Sequence, residues 1–143
     1  MATIHAAKLV EPRLTTIVAR AFVVALTLAT AALHASLGGT LFLMTAAGYT
    51  TLALGMVLPG PLGRFRWLVR LALIGFTAAT IGGWVVFGAR FSLAYLDKAI
   101  EVALIAAVTF ELWHSDGGPM QLARRVRVLA SGLARTLLAR VWS

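Results

Sequence analysis

A chain of 143 residues that is 60% hydrophobic and 13% charged, with mean hydropathy +0.90, has more apolar surface than a soluble domain of its length can bury. It has no cysteine, which removes disulfides, thiolate metal sites and cysteine nucleophiles together. The formal charge of +8 and pI near 11.6 would suggest nucleic acid in a soluble protein; here the basic residues flank apolar runs, which points to a membrane and no nucleic-acid partner.

Residues 1–13 read as a short polar leader, with Lys8, Glu11, Pro12 and Arg13, on the cytoplasmic side. The first crossing is expected over 17–37, Arg20 snorkelling to the headgroups near its start. Gly38-Gly39 marks a tight turn into a second crossing over 40–58, which stops at Pro59-Gly60-Pro61-Leu62-Gly63. A basic connector, Arg64 to Trp67, leads into a third crossing over 67–87, with Arg70 one turn in. A cleaved signal peptide is the competing reading of the first run, with Ala29-Thr30-Ala31 as its cleavage site; Arg20 interrupts that run, and the Gly-Gly turn suits two packed helices instead.

The fourth crossing, over 91–113, carries Asp97, Lys98 and Glu101. The apolar run that follows Glu101 is too short for the ~20 residues a crossing helix needs, so the triplet is expected at membrane depth. Four residues separate Asp97 from Glu101, which puts both acids on one helix face, turned into the protein, with Lys98 on its flank. With four crossings, Lys8, Arg13, Arg20, Arg64, Arg66, Arg70, Arg124, Arg125, Arg127, Arg135 and Arg140 all fall on one side, leaving Arg90 and Lys98 for the other. The positive-inside rule then places both termini in the cytoplasm. The fold class expected is all-α: a four-helix transmembrane bundle over 1–116, followed over 117–143 by a basic amphipathic helix.

Membrane helices associate through close packing and polar contacts. Small residues recur at four-residue spacing as Ala21/Ala25/Ala29, Ala47/Thr51/Gly55, Gly75/Ala79/Gly83 and Ala99/Ala103/Ala107. The Gly75, Ala79, Gly83 stripe is the most informative, because glycine inside a helix is otherwise unfavourable. A chain so rich in alanine also produces such spacings by chance.

Span one runs outward and span four inward, so His34 and Asp97 lie at similar depth, and an intramembrane polar cluster of His34, Arg90, Asp97, Lys98 and Glu101, with Tyr95 nearby, is expected. One reading is structural: the two acids are balanced by Lys98 and Arg90, and His34 fixes helix register. A second is a proton or cation path through Glu101 and Asp97. A third is cofactor binding. A metal site is weakly supported, with a single histidine and a lysine between the acids, and His34 and His114 lie too far apart in depth to hold one haem within a monomer. No cofactor is identified, and no metal is expected. At the inner end Glu111 is expected to pair with Arg64, Arg66 or Arg70, and Tyr49, alone at mid-membrane, needs a partner for its hydroxyl.

Beyond Gly117-Gly118-Pro119, Leu122, Val126, Leu129, Leu133 and Leu137 recur at helical spacing, among Arg124, Arg125, Arg127, Arg135 and Arg140. This predicts an interfacial helix on anionic lipids of the cytoplasmic face, anchored by Trp142.

The series His34-x-x-x-Gly38, Phe42, Gly48-Tyr49, the Arg64 to Arg70 connector and Tyr95-x-Asp97-Lys98-x-x-Glu101 resembles a group of small four-span bacterial membrane proteins of uncharacterised activity, over about residues 33 to 112. The resemblance implies the same topology, in a bacterial inner (plasma) membrane, and implies no activity. Small multidrug transporters are comparable in size and span number, but the acidic residue usual in their first span has no counterpart in 17–37. No nucleophile and base pair or phosphate loop supports an enzyme. The expected function is a non-enzymatic accessory or scaffold subunit that packs against itself or other membrane subunits. The alternatives are a proton- or cation-coupled transporter using Glu101 and Asp97, and a haem- or quinone-binding subunit.

Overall fold

The computed structural model describes residues 2–59, 63, 65–115 and, beyond them, 120, 121, 123, 124, 126–128, 130–132 and 135, with side chains from residue 14 onward save that of 115. The chain is all-helical, without a strand among the described residues. Four helices follow one another: α1 Ala2–Leu37, α2 Thr40–Val57, α3 Arg66–Phe87 and α4 Ser92–Ser115. The described residues from 120 onward also have helical backbone.

The first helix begins at Ala2 and continues unbroken to Leu37, so the expected polar leader is continuous with it. Ala6, Ala7, Lys8, Leu9 and Glu11 are good helix formers, so their polarity marks where the apolar stretch starts and not where the helix does. That apolar stretch is Leu14–Leu37. With Thr40–Val57 and Arg66–Phe87, it makes three helices long and apolar enough to cross a membrane. At about 1.5 Å per residue, α4 also exceeds the ~30 Å of a hydrocarbon core. Its composition differs because it contains Asp97, Lys98, Glu101 and Glu111.

Gly38 and Gly39 reverse the chain within two residues, with φ of 69° and 83°, a left-handed region that side chains with a Cβ rarely enter. The α3–α4 corner is closed by the Gly88 N–H donating to the Trp84 carbonyl at 2.8 Å. α1 packs on α2 and α4, and α3 packs on the same two, so the helices form a ring in chain order.

Each helix buries one stripe at helical period: Val23, Thr27, Thr30, Ala31 and His34 on α1; Ala46, Tyr49, Ala53 and Met56 on α2; Trp67, Arg70, Leu73 and Thr77 on α3; and Ala94, Asp97, Glu101, Leu104, Val108, Glu111 and Leu112 on α4. The outer surface instead bears Leu14, Ile17, Val18, Phe22, Leu41, Met44, Val86, Phe87, Val102 and Phe110. Charge inside and hydrocarbon outside is the reverse of a water-soluble bundle, whose apolar stripe faces its core.

The Gly75, Ala79, Gly83 stripe does not form the ring's internal contacts. Gly75, Ala79 and Gly83 are exposed, and a Cβ built at Gly75, Gly82 or Gly83 meets nothing within 4 Å. The close approaches are made by α2. A Cβ at Gly48 would lie 2.6 Å from the tip of the Phe76 ring, and one at Gly55 would lie 3.1 Å from Val69. Helix rotation is set by the polar residues that must be enclosed, and this turns the glycine face of α3 outward.

Candidate functional site

The cluster forms where the end of α1 meets the beginning of α4. Asp97 is 3% exposed and Glu101 fully buried, as their shared helix face requires. Lys98 lies between them, its ammonium 3.0 Å from Asp97 Oδ2 and 2.5 Å from Glu101 Oε2. α1 supplies Thr30, whose hydroxyl donates to Asp97 Oδ1 at 2.6 Å, and His34, with Nδ1 3.5 Å from the same oxygen. α2 supplies Tyr49, which donates to Glu101 Oε1 at 2.8 Å. α3 supplies Thr80, its hydroxyl 2.8 Å from that oxygen and 2.9 Å from the Tyr49 hydroxyl. All four helices thus converge on two carboxylates. Hydrogen bonds to a charged group contribute about 1.5–3 kcal/mol each, so these donors are the compensation a buried acid needs.

His34 is held in one orientation. Its Nδ1 lies 2.9 Å from the Thr30 carbonyl, which can only accept, so Nδ1 carries the hydrogen. Nε2 then faces Glu101 Oε1 at 3.9 Å. The ring is flanked by Phe42 and Tyr49, with centroids 6.1 and 5.7 Å away.

Arg90 does not join these groups. It is exposed, donates to the Val85 carbonyl at 3.0 Å and sits 4.3 Å above the Trp84 ring. Five residues separate it from Val85, which puts its guanidinium back over the last turn of α3, where carbonyls lack helical partners. Tyr95 likewise packs on Trp84, with ring centroids 5.2 Å apart. The expected charge balance is thereby corrected: two carboxylates face one permanent cation, Lys98, among the described residues.

The nitrogen of His34 and one oxygen each of Asp97 and Glu101 lie within 4.8 Å of one another, a spacing a metal ion could bridge. The Lys98 ammonium already spans both acids from the other side and repels a second cation there. His114 is exposed, with Nδ1 3.0 Å from the Phe110 carbonyl and its ring 4.0 Å from that of Phe110. Compared with known proteins, the chain matches no family model, no curated protein and no solved structure.

A second charged group lies at the other end of the bundle. Glu111 is buried and accepts from Arg70 Nη2 at 2.5 Å, with Arg20 Nε at 3.3 Å from the same oxygen. Arg70 was among the expected partners. Arg66 instead donates to the Leu58 carbonyl at 2.9 Å, and Arg64 lies outside the described residues. Arg20 turns inward and does not simply snorkel. Between the two charged groups, Val23, Met56, Leu73, Leu104 and Val108 form a fully buried apolar layer, contributed by all four helices.

Residue spacing identified the acids, and antiparallel geometry identified His34, but neither reached Thr30, Thr80 or Arg20. The signal for Tyr49 was present, a mid-span hydroxyl needing a partner and a mid-span acid needing donors. In the C-terminal segment Arg124, Arg127 and Arg135 are exposed, while Arg125, Arg140 and Trp142 lie outside the described residues.

Proposed function

We propose that this chain is a four-span integral membrane protein, non-enzymatic, that acts as an accessory or scaffold subunit by packing against a second copy or other membrane subunits. Support for the fourth crossing comes from α4 itself. Asp97, Glu101 and Glu111 are buried against partners, while Leu93, Tyr95, Leu96, Val102 and Phe110 are turned outward, so its lipid-facing surface is as apolar as that of the other helices. The distribution of basic residues supports a cytoplasmic side for both ends of the bundle, in a bacterial inner membrane, and an interaction of the C-terminal arginines with anionic lipids.

The observation that carries the packing role is the open face of α3. Gly75, Gly82 and Gly83 each weaken a helix by up to about 1 kcal/mol relative to alanine, and none makes room for anything inside the bundle. Such a face lets a helix of another chain approach closely. Paired Gly75→Leu and Gly83→Leu substitutions are expected to abolish association, detected by cross-linking in native membranes and by mass in mild detergent, while helical content is unchanged. If the wild-type chain is monomeric in both and cross-links to no other chain, the reading fails.

A proton- or cation-coupled transporter is the second reading, favoured by the excess negative charge of the cluster. The apolar layer between Glu101 and Glu111 closes the through-path in this conformation, so passage requires the bundle to open.

A further inference from the structure

We propose that the cluster is a binding site for one exchangeable proton, held between His34 Nε2 and Glu101 Oε1 and reached from the Lys98 end of the bundle. The inference is independent of whether the protein is a scaffold or a carrier. Two acceptors, His34 Nε2 and Glu101 Oε1, face each other. With Nδ1–H committed to the Thr30 carbonyl, the neutral imidazole presents a lone pair at Nε2 toward a carboxylate oxygen 3.9 Å away. That is repulsive until one of the two takes up a proton.

The charges facing this pair give the same count. From α4 come Asp97 and Lys98, from α1 only the neutral Thr30, from α2 Tyr49 and from α3 Thr80. Two carboxylates against one ammonium leave one negative charge in excess, in a place where an unbalanced ion costs several kcal/mol. One proton removes both the excess charge and the repulsion. It comes from water, forms an N–H bond at Nε2 or an O–H bond at the Glu101 carboxyl, and returns to water on release. The buried Leu104, Val108, Leu73, Met56 and Val23 close one end, so the route of exchange runs past Lys98, whose side chain is 11% exposed.

The test uses the full chain with nitrogen-labelled histidine in lipid nanodiscs, followed across neutral pH by magnetic resonance of the ring nitrogens and by infrared absorption of protonated carboxyl groups. His34→Gln assigns the His34 signals apart from those of His5 and His114. The expected result is one proton per chain, seen as a His34 imidazolium or as a protonated carboxyl, and lost in Glu101→Gln, which keeps the acceptor for Tyr49. Glu101→Gln leaves Asp97 and Lys98 balanced, so the neutral Nδ1–H ring of His34 should then persist throughout. If the wild-type protein shows neither signature at any pH, the proposal is wrong, and this result does not depend on any variant folding. It is equally overturned if Glu101→Gln leaves the His34 titration unchanged, or if the His34 signals respond to added zinc and not to pH.

Discussion

Lys98→Met is expected to destabilise the bundle by about 3–5 kcal/mol, the cost of removing one partner from a buried ion pair. The ammonium is the only permanent cation among the described residues that contacts Asp97 and Glu101, and it contacts both. Without it, two carboxylates close together in the interior repel each other, and the hydroxyls of Thr30, Tyr49 and Thr80 can solvate but not neutralise them. A second substitution, Glu101→Gln, should restore most of the loss, so the double-mutant cycle returns a large coupling energy. Reversible unfolding in detergent micelles measures all four corners. A cost of about 1 kcal/mol or less for Lys98→Met would mean that the triplet is solvated as an ordinary surface pair is.

Arg70→Met is the second large effect, about 3 kcal/mol, because Glu111 is fully enclosed and Arg70 approaches it at 2.5 Å. The estimate lies at the low end of the range for broken buried pairs, since Arg20 remains 3.3 Å away and supplies part of the compensation. Arg20→Met should cost less, about 1 kcal/mol, because the Arg20 side chain is 27% exposed and its charge is partly screened. The ranking is the decisive readout of an unfolding comparison. Equal costs would mean that the two arginines share Glu111 evenly, against the distances.

The parts of this arrangement that could be read from the sequence are those that depend on one helix at a time. Asp97 and Glu101 share a face because four residues nearly complete a helical turn, whatever the neighbours do. The end of α1 and both ends of α2 followed from Gly38-Gly39 and from the proline-glycine stop after α2. His34 needed one further step, the antiparallel course of α1 and α4. The rest depends on how each helix is rotated about its own axis, which no spacing within one helix determines. Gly75, Ala79 and Gly83 lie on one line of α3, but whether that line faces the ring depends on where Arg70 and Thr77 are buried. Arg90 was placed by charge balance, whereas its local contacts, a carbonyl five residues back and the Trp84 ring, prevail because they need no long-range ordering. Arg20 and Glu111 are separated by 91 positions, and nothing local links them.

The charged interior requires α4 to cross the bilayer with Asp97, Lys98 and Glu101 inside it. Because the chain has no cysteine, single cysteines can be introduced as Ser92→Cys, Ala99→Cys and His114→Cys and probed in intact and inverted membranes with a membrane-impermeant maleimide. Labelling of position 92 from one side, of 114 from the opposite side and of 99 from neither is the predicted pattern. Labelling of 92 and 114 from the same side, or labelling of 99 at all, would contradict it.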